Sequence, residues 1–307
     1  MNTLTTSHRR VAIGFLAALA TVVSWTTWIV STRAIVSDAE PLAPALLAFI
    51  RFGTAAVLLS PYWWRLRGMP KGKSPWLLIG LMFAGIPYIG AVLFGLQYAP
   101  ATEAGPLLTG TLPLFVGALS AVLLGERFTK LRLMGLAGIA IGTFAIIGQS
   151  MLGPNSGHWL GHLFILLGAL SWSIYTIAFR KSGLSAVEAA ALVGLWSVIA
   201  LIPFAASDIW QAIETTAVLT LVQQLAIQGL LAGVLALILF TTAVSYLGPS
   251  RTTAITALTP VTALMAAGLW IGEIPNPWGM AGCGAIVFGV IMASGVIDEW
   301  VGRRIRG

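Results

Sequence analysis

Long apolar runs, interrupted at intervals by charge, proline or glycine, fill the chain from end to end. Their approximate bounds are 11–35, 43–63, 76–97, 103–124, 131–149, 159–180, 187–206, 218–245, 252–272 and 278–297. A helix that crosses the hydrocarbon of a bilayer needs about 20 apolar residues, and most of the runs are near that length. The pattern predicts ten membrane-spanning helices with short connections. The first run follows His8, Arg9 and Arg10, as a secretory signal would, but from Val11 to Val30 it exceeds the roughly 7–15 residues of a signal's apolar core. It therefore stays as the first helix.

Composition sharpens this. Of 307 residues 58% are apolar and only 9% charged, against roughly 25% charged in soluble domains. Such a chain cannot cover its surface for water, which excludes a secreted, cytosolic or disordered protein. The net charge of +7 reads as an orientation signal and not as a nucleic-acid footprint, because Lys and Arg resist translocation. With the first residue inside, the inner segments hold Arg9, Arg10, Arg65, Arg67, Lys71, Lys73, Arg127, Lys130, Arg132, Arg180, Lys181, Arg251, Arg303, Arg304 and Arg306, which is 15 of the 17 basic residues. Arg33 falls outside, and Arg51 lies within the second span. Both termini are expected in the cytoplasm.

Sliding the chain against itself produces matches at a single offset of 147 residues. Ser24-Trp25 falls on Ser171-Trp172, Trp28 on Tyr175, Arg33 on Arg180, Thr109 on Thr256, Pro113 on Pro260 and Gly125-Glu126 on Gly272-Glu273. Gly135, Gly142 and Gly148 fall on Gly282, Gly289 and Gly295. The repeats cover 11–149 and 158–297, with tails 1–10 and 298–307. Each contains five spans, an odd number, so the second copy enters the membrane upside down. The predicted fold is an all-α membrane protein of two inverted five-helix repeats around a central cavity, an arrangement that suits alternating access.

Each copy resembles the EamA domain of the drug/metabolite transporter superfamily. The resemblance rests on Trp25 with Arg33 eight residues on, Pro44 followed by Arg51-Phe52, Tyr98-Ala99, Pro113-Leu114-Phe115, Gly125-Glu126-Arg127 and Gly135 with Gly142. The second copy repeats much of this with Tyr246, Thr259-Pro260, Gly272-Glu273, Gly282 and Gly289. Two positions depart from the family pattern: Thr26 replaces a common Gly, and Arg33 a common Lys. The family's cargo is broad, and among its two-domain members the resemblance favours the aromatic and other amino-acid exporters of bacterial inner membranes, the YddG type.

Helical spacing places Thr21, Ser24, Trp25, Trp28 and Thr32 on one face of the first span, and Gly168, Ser171, Trp172, Tyr175 and Phe179 on the matching face of the sixth. Polar, aromatic stripes of this kind suit a passage better than lipid. Tyr88 beside Pro87, Tyr98, Gln228, Tyr246, Thr109, Thr256, Pro113 and Pro260 complete the expected cavity, since prolines inside spans free carbonyls that only protein or a watered cavity accepts. Arg51 is costly at mid-membrane; it either pairs with a substrate carboxylate or holds broken-helix carbonyls. Gly135, Gly138 and Gly142, with Gly282, Ala285 and Gly289, read as close-packing faces.

No cofactor, metal or catalytic constellation is expected. The single Cys283 permits no internal disulfide, and His8, His158 and His162 lack metal-ligand spacing. The stretch Gly68–Ser74 has three residues between its glycines where a P-loop needs four. The function expected is export of small metabolites, most of all amino acids with an aromatic bias, from a bacterial inner membrane. The rivals are a multidrug exporter of lipophilic cations and a membrane enzyme or structural subunit without transport. The expected partners are the substrate and the bilayer, with a monomer plausible. Among ionisable groups only Glu103 and His162 come near the passage, so a facilitative carrier is expected, with those two as the candidates should ions be coupled.

Overall fold

A computed structural model describes residues 2–38, 41–67, 72, 74–152 and 157–294, and every regular element among them is helical. Lys71, Lys73, most of the P-loop-like stretch and the tail with Arg303, Arg304 and Arg306 lie outside the described residues. Eight helices are long and apolar enough to cross a membrane: Arg9–Val36, Pro75–Tyr98, Ala101–Leu124, Lys130–Met151, His158–Ser182, Ala186–Ala206, Val218–Leu247 and Ala254–Ile271. Two shorter apolar helices, Pro44–Leu58 and Pro277–Ala293, occupy the second and tenth predicted spans.

The first half contains α1 (Asn2–Val36), α2 (Pro44–Leu58), α3 (Ser60–Arg65), α4 (Pro75–Met82), α5 (Ile86–Tyr98), α6 (Ala101–Gly105), α7 (Leu112–Leu124) and α8 (Lys130–Leu152). The second contains α9 (His158–Ser182), α10 (Ala186–Thr215), α11 (Val218–Gln224), α12 (Ala236–Leu247), α13 (Pro249–Thr256), α14 (Thr259–Ile271) and α15 (Pro277–Ala293). A π-helical segment, Pro106–Gly110, joins α6 to α7, and a second, Leu225–Leu235, joins α11 to α12.

Prolines account for most of the breaks, because a proline has no N–H to give the carbonyl four residues back and disfavours helix in the residue before it. Pro61 thus ends α2 at Leu59, where the indole of Trp63 donates to the Ala56 carbonyl at 2.6 Å. The second predicted span is accordingly a 15-residue helix, about 22 Å long. Pro87 separates α4 from α5, Pro113 follows the bend at Thr111, and Pro260 follows its counterpart at Leu258.

Helices pair in exchanged sets. The packing of α8 on α15 and of α2 on α10 joins helices that are each other's counterparts, and α5 packs on α9 as α12 packs on α1. Glycine permits the first contact: a Cβ on Gly135 would lie 2.6 Å from the Gly289 carbonyl oxygen, and one on Gly289 would lie 2.6 Å from the Gly135 oxygen. The close-packing reading of these glycines thus has a direct geometric basis.

Candidate functional site

The polar face of α1 turns inward. Thr21, Ser24, Trp28 and Thr32 are buried, while Val23 on the opposite side is 64% exposed. The Thr21 and Ser24 hydroxyls donate to the carbonyls of Ala17 and Ala20, each at 2.8 Å, so neither has its proton free for a ligand. Trp28 is held at both ends. Its indole N–H donates to Gln228 Oε1 at 2.8 Å, and Gln228 Nε2 donates to Thr32 Oγ1 at 2.8 Å. Gln228 is fully buried and spends its amide on this lock.

Arg51 approaches the same tryptophan from α2, with its guanidinium carbon 4.8 Å from the Trp28 ring centroid. Two glycines one turn apart on the π-helical segment let α2 come close: a Cβ on Gly229 would collide with the Thr54 hydroxyl, and one on Gly233 would lie 2.9 Å from the Arg51 carbonyl. The Arg51 Nη1 atom is buried and has no hydrogen-bond partner. From Trp28 the aromatic contacts continue to Tyr88 at 6.2 Å, then to Trp172 at 4.9 Å, Tyr175 at 5.3 Å and Phe179 at 5.9 Å between successive centroids. Rings from both halves of the chain thereby form one wall.

A central cavity is lined by Trp25, Trp28, Arg51, Tyr88, Leu108, Thr109, Leu112, Trp172 and Ala232. It holds about 30 Å³, room for little more than a water molecule. Six residues singled out from sequence meet here. Tyr175 packs behind Trp172, and Gln228 acts through Trp28. Ser24, Ser171 and Thr256 are buried outside the lining, and Pro260 packs near Gly110 of the π-helical segment. Pro113 is half-buried one residue beyond Leu112. Tyr98 and Tyr246 are each 43% exposed, and Tyr98 packs at a tilt against Phe94 with ring centroids 5.1 Å apart; neither is in the cavity lining. Sequence reading missed Leu108, Leu112 and Ala232, which carry no chemical signature.

It also missed two ion pairs beyond the ends of the cavity. Glycines at φ +67° and +69° end α7 and α14, and the following N–H groups, of Glu126 and Glu273, turn back to Ser120 and Ala267 six residues earlier. This helix-ending turn aims each glutamate across the bundle. Arg33 Nε lies 2.7 Å from Glu273 Oε1, and Arg180 Nη2 lies 3.0 Å from Glu126 Oε1. Both pairs come from the same two repeat positions, with the halves exchanged.

Helix α9 shows that these pairs occupy opposite ends. His162 near its start contacts Glu103, two residues from the Ala101 amide that donates to Glu273 at 2.6 Å, while Arg180 near its finish lies ~27 Å further along the helix.

A family model for the EamA-like transporter family matches residues 12–148 and again residues 159–295. The chain belongs to the EamA-like transporter family. The two matches stand at the offset of 147 that the sequence itself displays. Among curated relatives, an uncharacterized transporter of Bacillus subtilis, YyaM, is 26% identical over 83% of this chain and 86% of its own. A probable terminal-alkyne amino-acid exporter of Streptantibioticus cattleyicolor is 28% identical over 69% of each chain. The uncharacterized Bacillus subtilis transporter YoaV is 30% identical over 33% of this chain, and the match spans 34% of YoaV. The match to a second one, YetK, spans 52% of that protein. A solved crystal structure, 19% identical, shares the fold with TM-score 0.57 over 96% of this chain and 99% of that one.

Proposed function

We propose that this EamA-like transporter exports small metabolites, amino acids with an aromatic or hydrophobic bias foremost, by alternating access between two inverted five-helix halves. The observation that carries the reading is the buried, unpartnered Nη1 of Arg51 at a cavity walled by Trp25, Trp28, Tyr88 and Trp172. A guanidinium takes a carboxylate by paired charge-assisted hydrogen bonds. The rings offer an aromatic side chain edge and face contacts of about 0.5–1.5 kcal/mol beyond burial. The relative named as an amino-acid exporter points the same way. A lipophilic cation suits the cavity poorly, because no carboxylate lines it and Arg51 would repel the charge.

A ligand of amino-acid size needs far more than about 30 Å³, so the half-buried rings of Trp25 and Trp172 swing aside as the halves separate. With no acid at the cavity, substrate runs down its own gradient. The Arg33 end faces outward and the chain's termini face the cytoplasm of a bacterial inner membrane.

The test is flux through purified protein in liposomes, with aromatic amino acids compared against the amines that lack their carboxyl group. Wild type carries the amino acids well and the amines poorly. Arg51→Gln narrows that preference by about tenfold or more, the worth of a hydrogen bond to a charged group. Equal transport of amines, or an indifferent Arg51→Gln, sinks the reading.

A further inference from the structure

Beside the Arg33–Glu273 pair, away from the cavity lining, lies a second polar cluster built from four elements. Glu103 of α6 is 3% exposed and His162 of α9 is 0% exposed. Glu103 Oε1 accepts from Asn276 Nδ2 at 2.7 Å, and Glu103 Oε2 lies 2.7 Å from His162 Nε2. On the other side of the imidazole, His162 Nδ1 lies 3.0 Å from the Ser150 hydroxyl of α8, and that hydroxyl donates to the Ile147 carbonyl at 2.8 Å.

Counting protons decides the state of the cluster. A hydroxyl has one proton to donate, and here it goes to Ile147. Ser150 therefore accepts from His162, and Nδ1 carries hydrogen. The Nε2 contact with the carboxylate at 2.7 Å then requires a further proton between them, whether it is bound to nitrogen or to oxygen. Sending the Ser150 proton to His162 instead would leave two oxygen lone pairs facing each other at 2.8 Å. The Glu103–His162 pair thus holds one proton more than a separated carboxylate and neutral imidazole.

The charged groups packed beside the pair, among the described residues, are Glu273, Arg33 and His158. Glu273 of the α14 end is engaged by Arg33 of α1 and by the Ala101 amide. Helices α5 and α15 contain no Asp, Glu, His, Lys or Arg. His158, on the α9 turn preceding His162, places Nδ1 3.8 Å from Glu103 Oε2, and its side chain is 30% exposed, which opens a route to the water on this side. The repeat does not require such a pair, for the positions 147 residues away from Glu103 and His162 are Ser250 and Phe15.

We propose that the Glu103–His162 pair is a proton-binding site that latches the Arg33 end of the passage shut. The cluster ties α6, α8, α9 and the start of α15 together only while the shared proton is present. Opening separates the carboxylate from the imidazole and returns the proton to the water on the side it came from. Binding and release on one side move no net charge across the membrane, so the proton regulates opening and does not drive transport. The sign follows from the proton count: the closed cluster holds one proton more than the separated groups, so closure is favoured at low pH and lost as pH on that side rises.

This inference rests on the alternating-access reading for its meaning, and its test needs no substrate. A cysteine at Thr109, in a Cys283→Ala background, is modified by an impermeant thiol reagent added on the Glu103 side. The rate is divided by that of the same protein carrying Glu103→Gln, whose amide cannot titrate and can donate to Nε2, so that the thiol's own titration cancels. The ratio is expected to rise by about tenfold between about pH 5 and about pH 8, the span around the reference value of histidine. His162→Gln as the denominator gives the same rise. A ratio that stays flat with pH in both comparisons overturns the latch, whatever the substrate proves to be.

Discussion

The Arg33 and Arg180 ends of this transporter are built from the same two repeat positions, yet they are unlike. At the first, Arg33 and Glu273 are 16% and 18% exposed. The Arg33 Nη1 also donates to the Leu96 and Gln97 carbonyls at 2.6 and 3.0 Å, closing off the last turn of α5, and Glu273 accepts from the first amide of α6. At the second, Arg180 and Glu126 are 51% and 30% exposed, and among the described residues the guanidinium reaches, beyond Glu126, the Ser120 hydroxyl at 3.5 Å. A groove of about 240 Å³ between Trp76, Leu119, Leu123, Ile174 and Lys181 opens nearby. An ion pair that also caps two helix ends and is shielded from water seals its end, whereas the same pair in water contributes little. The ion pair at the Arg33 end is therefore the better shielded and more fully bonded of the two.

The largest effect tests which end meets which side of the membrane. Ser37 and Arg127 are both exposed, one beyond each end. In a Cys283→Ala background, a cysteine at Ser37 is expected to react with an impermeant reagent in intact cells and one at Arg127 to stay unreacted until the membrane is opened. The reverse pattern would exchange the two ends and overturn the proposed orientation.

Next comes the sealed pair. Glu273→Gln removes the charge that Arg33 and the Ala101 amide share, at a cost to closure of about 2 kcal/mol, between the values for exposed and buried charged hydrogen bonds. That predicts modification of a cysteine at Thr109 from the Arg33 end about 30-fold faster. The smallest effect belongs to Glu126→Gln, where access from the Arg180 end should change by no more than about threefold, and by less still in 1 M salt, where screening acts within about 3 Å. Equal effects of the two substitutions would erase the distinction between the ends.

Much of the architecture was legible in the sequence. Apolar runs located every long helix described, because a bilayer dictates length and composition locally, and prolines at 87, 113 and 260 marked breaks that the structure contains, because a missing N–H acts on its own turn, whereas the break before Pro61 fell inside the run read as one span. The one offset of 147 set the halves in register, and the family model matches at the same spacing. The candidate site was half legible. Trp25, Trp28, Arg51, Tyr88, Thr109 and Trp172 line the cavity, whereas Tyr98 and Tyr246, equally aromatic but at the ends of α5 and α12, are exposed and lie outside the lining. Aromatic character names a chemistry without giving its direction once a helix packs on several neighbours.

What the chain alone determined, then, is what each segment is: a span, a break, a repeat, a ring or a charge at a stated position. Tertiary structure decided what those groups do to one another. It pressed Arg51 under Trp28 by way of Gly229 and Gly233, closed Gln228 onto Trp28 and Thr32, and exchanged glutamates so that Arg33 meets Glu273 and Arg180 meets Glu126. These contacts join residues some 20 to 240 positions apart. They depend on how helices pack, which brings distant turns together and leaves no periodicity in the sequence.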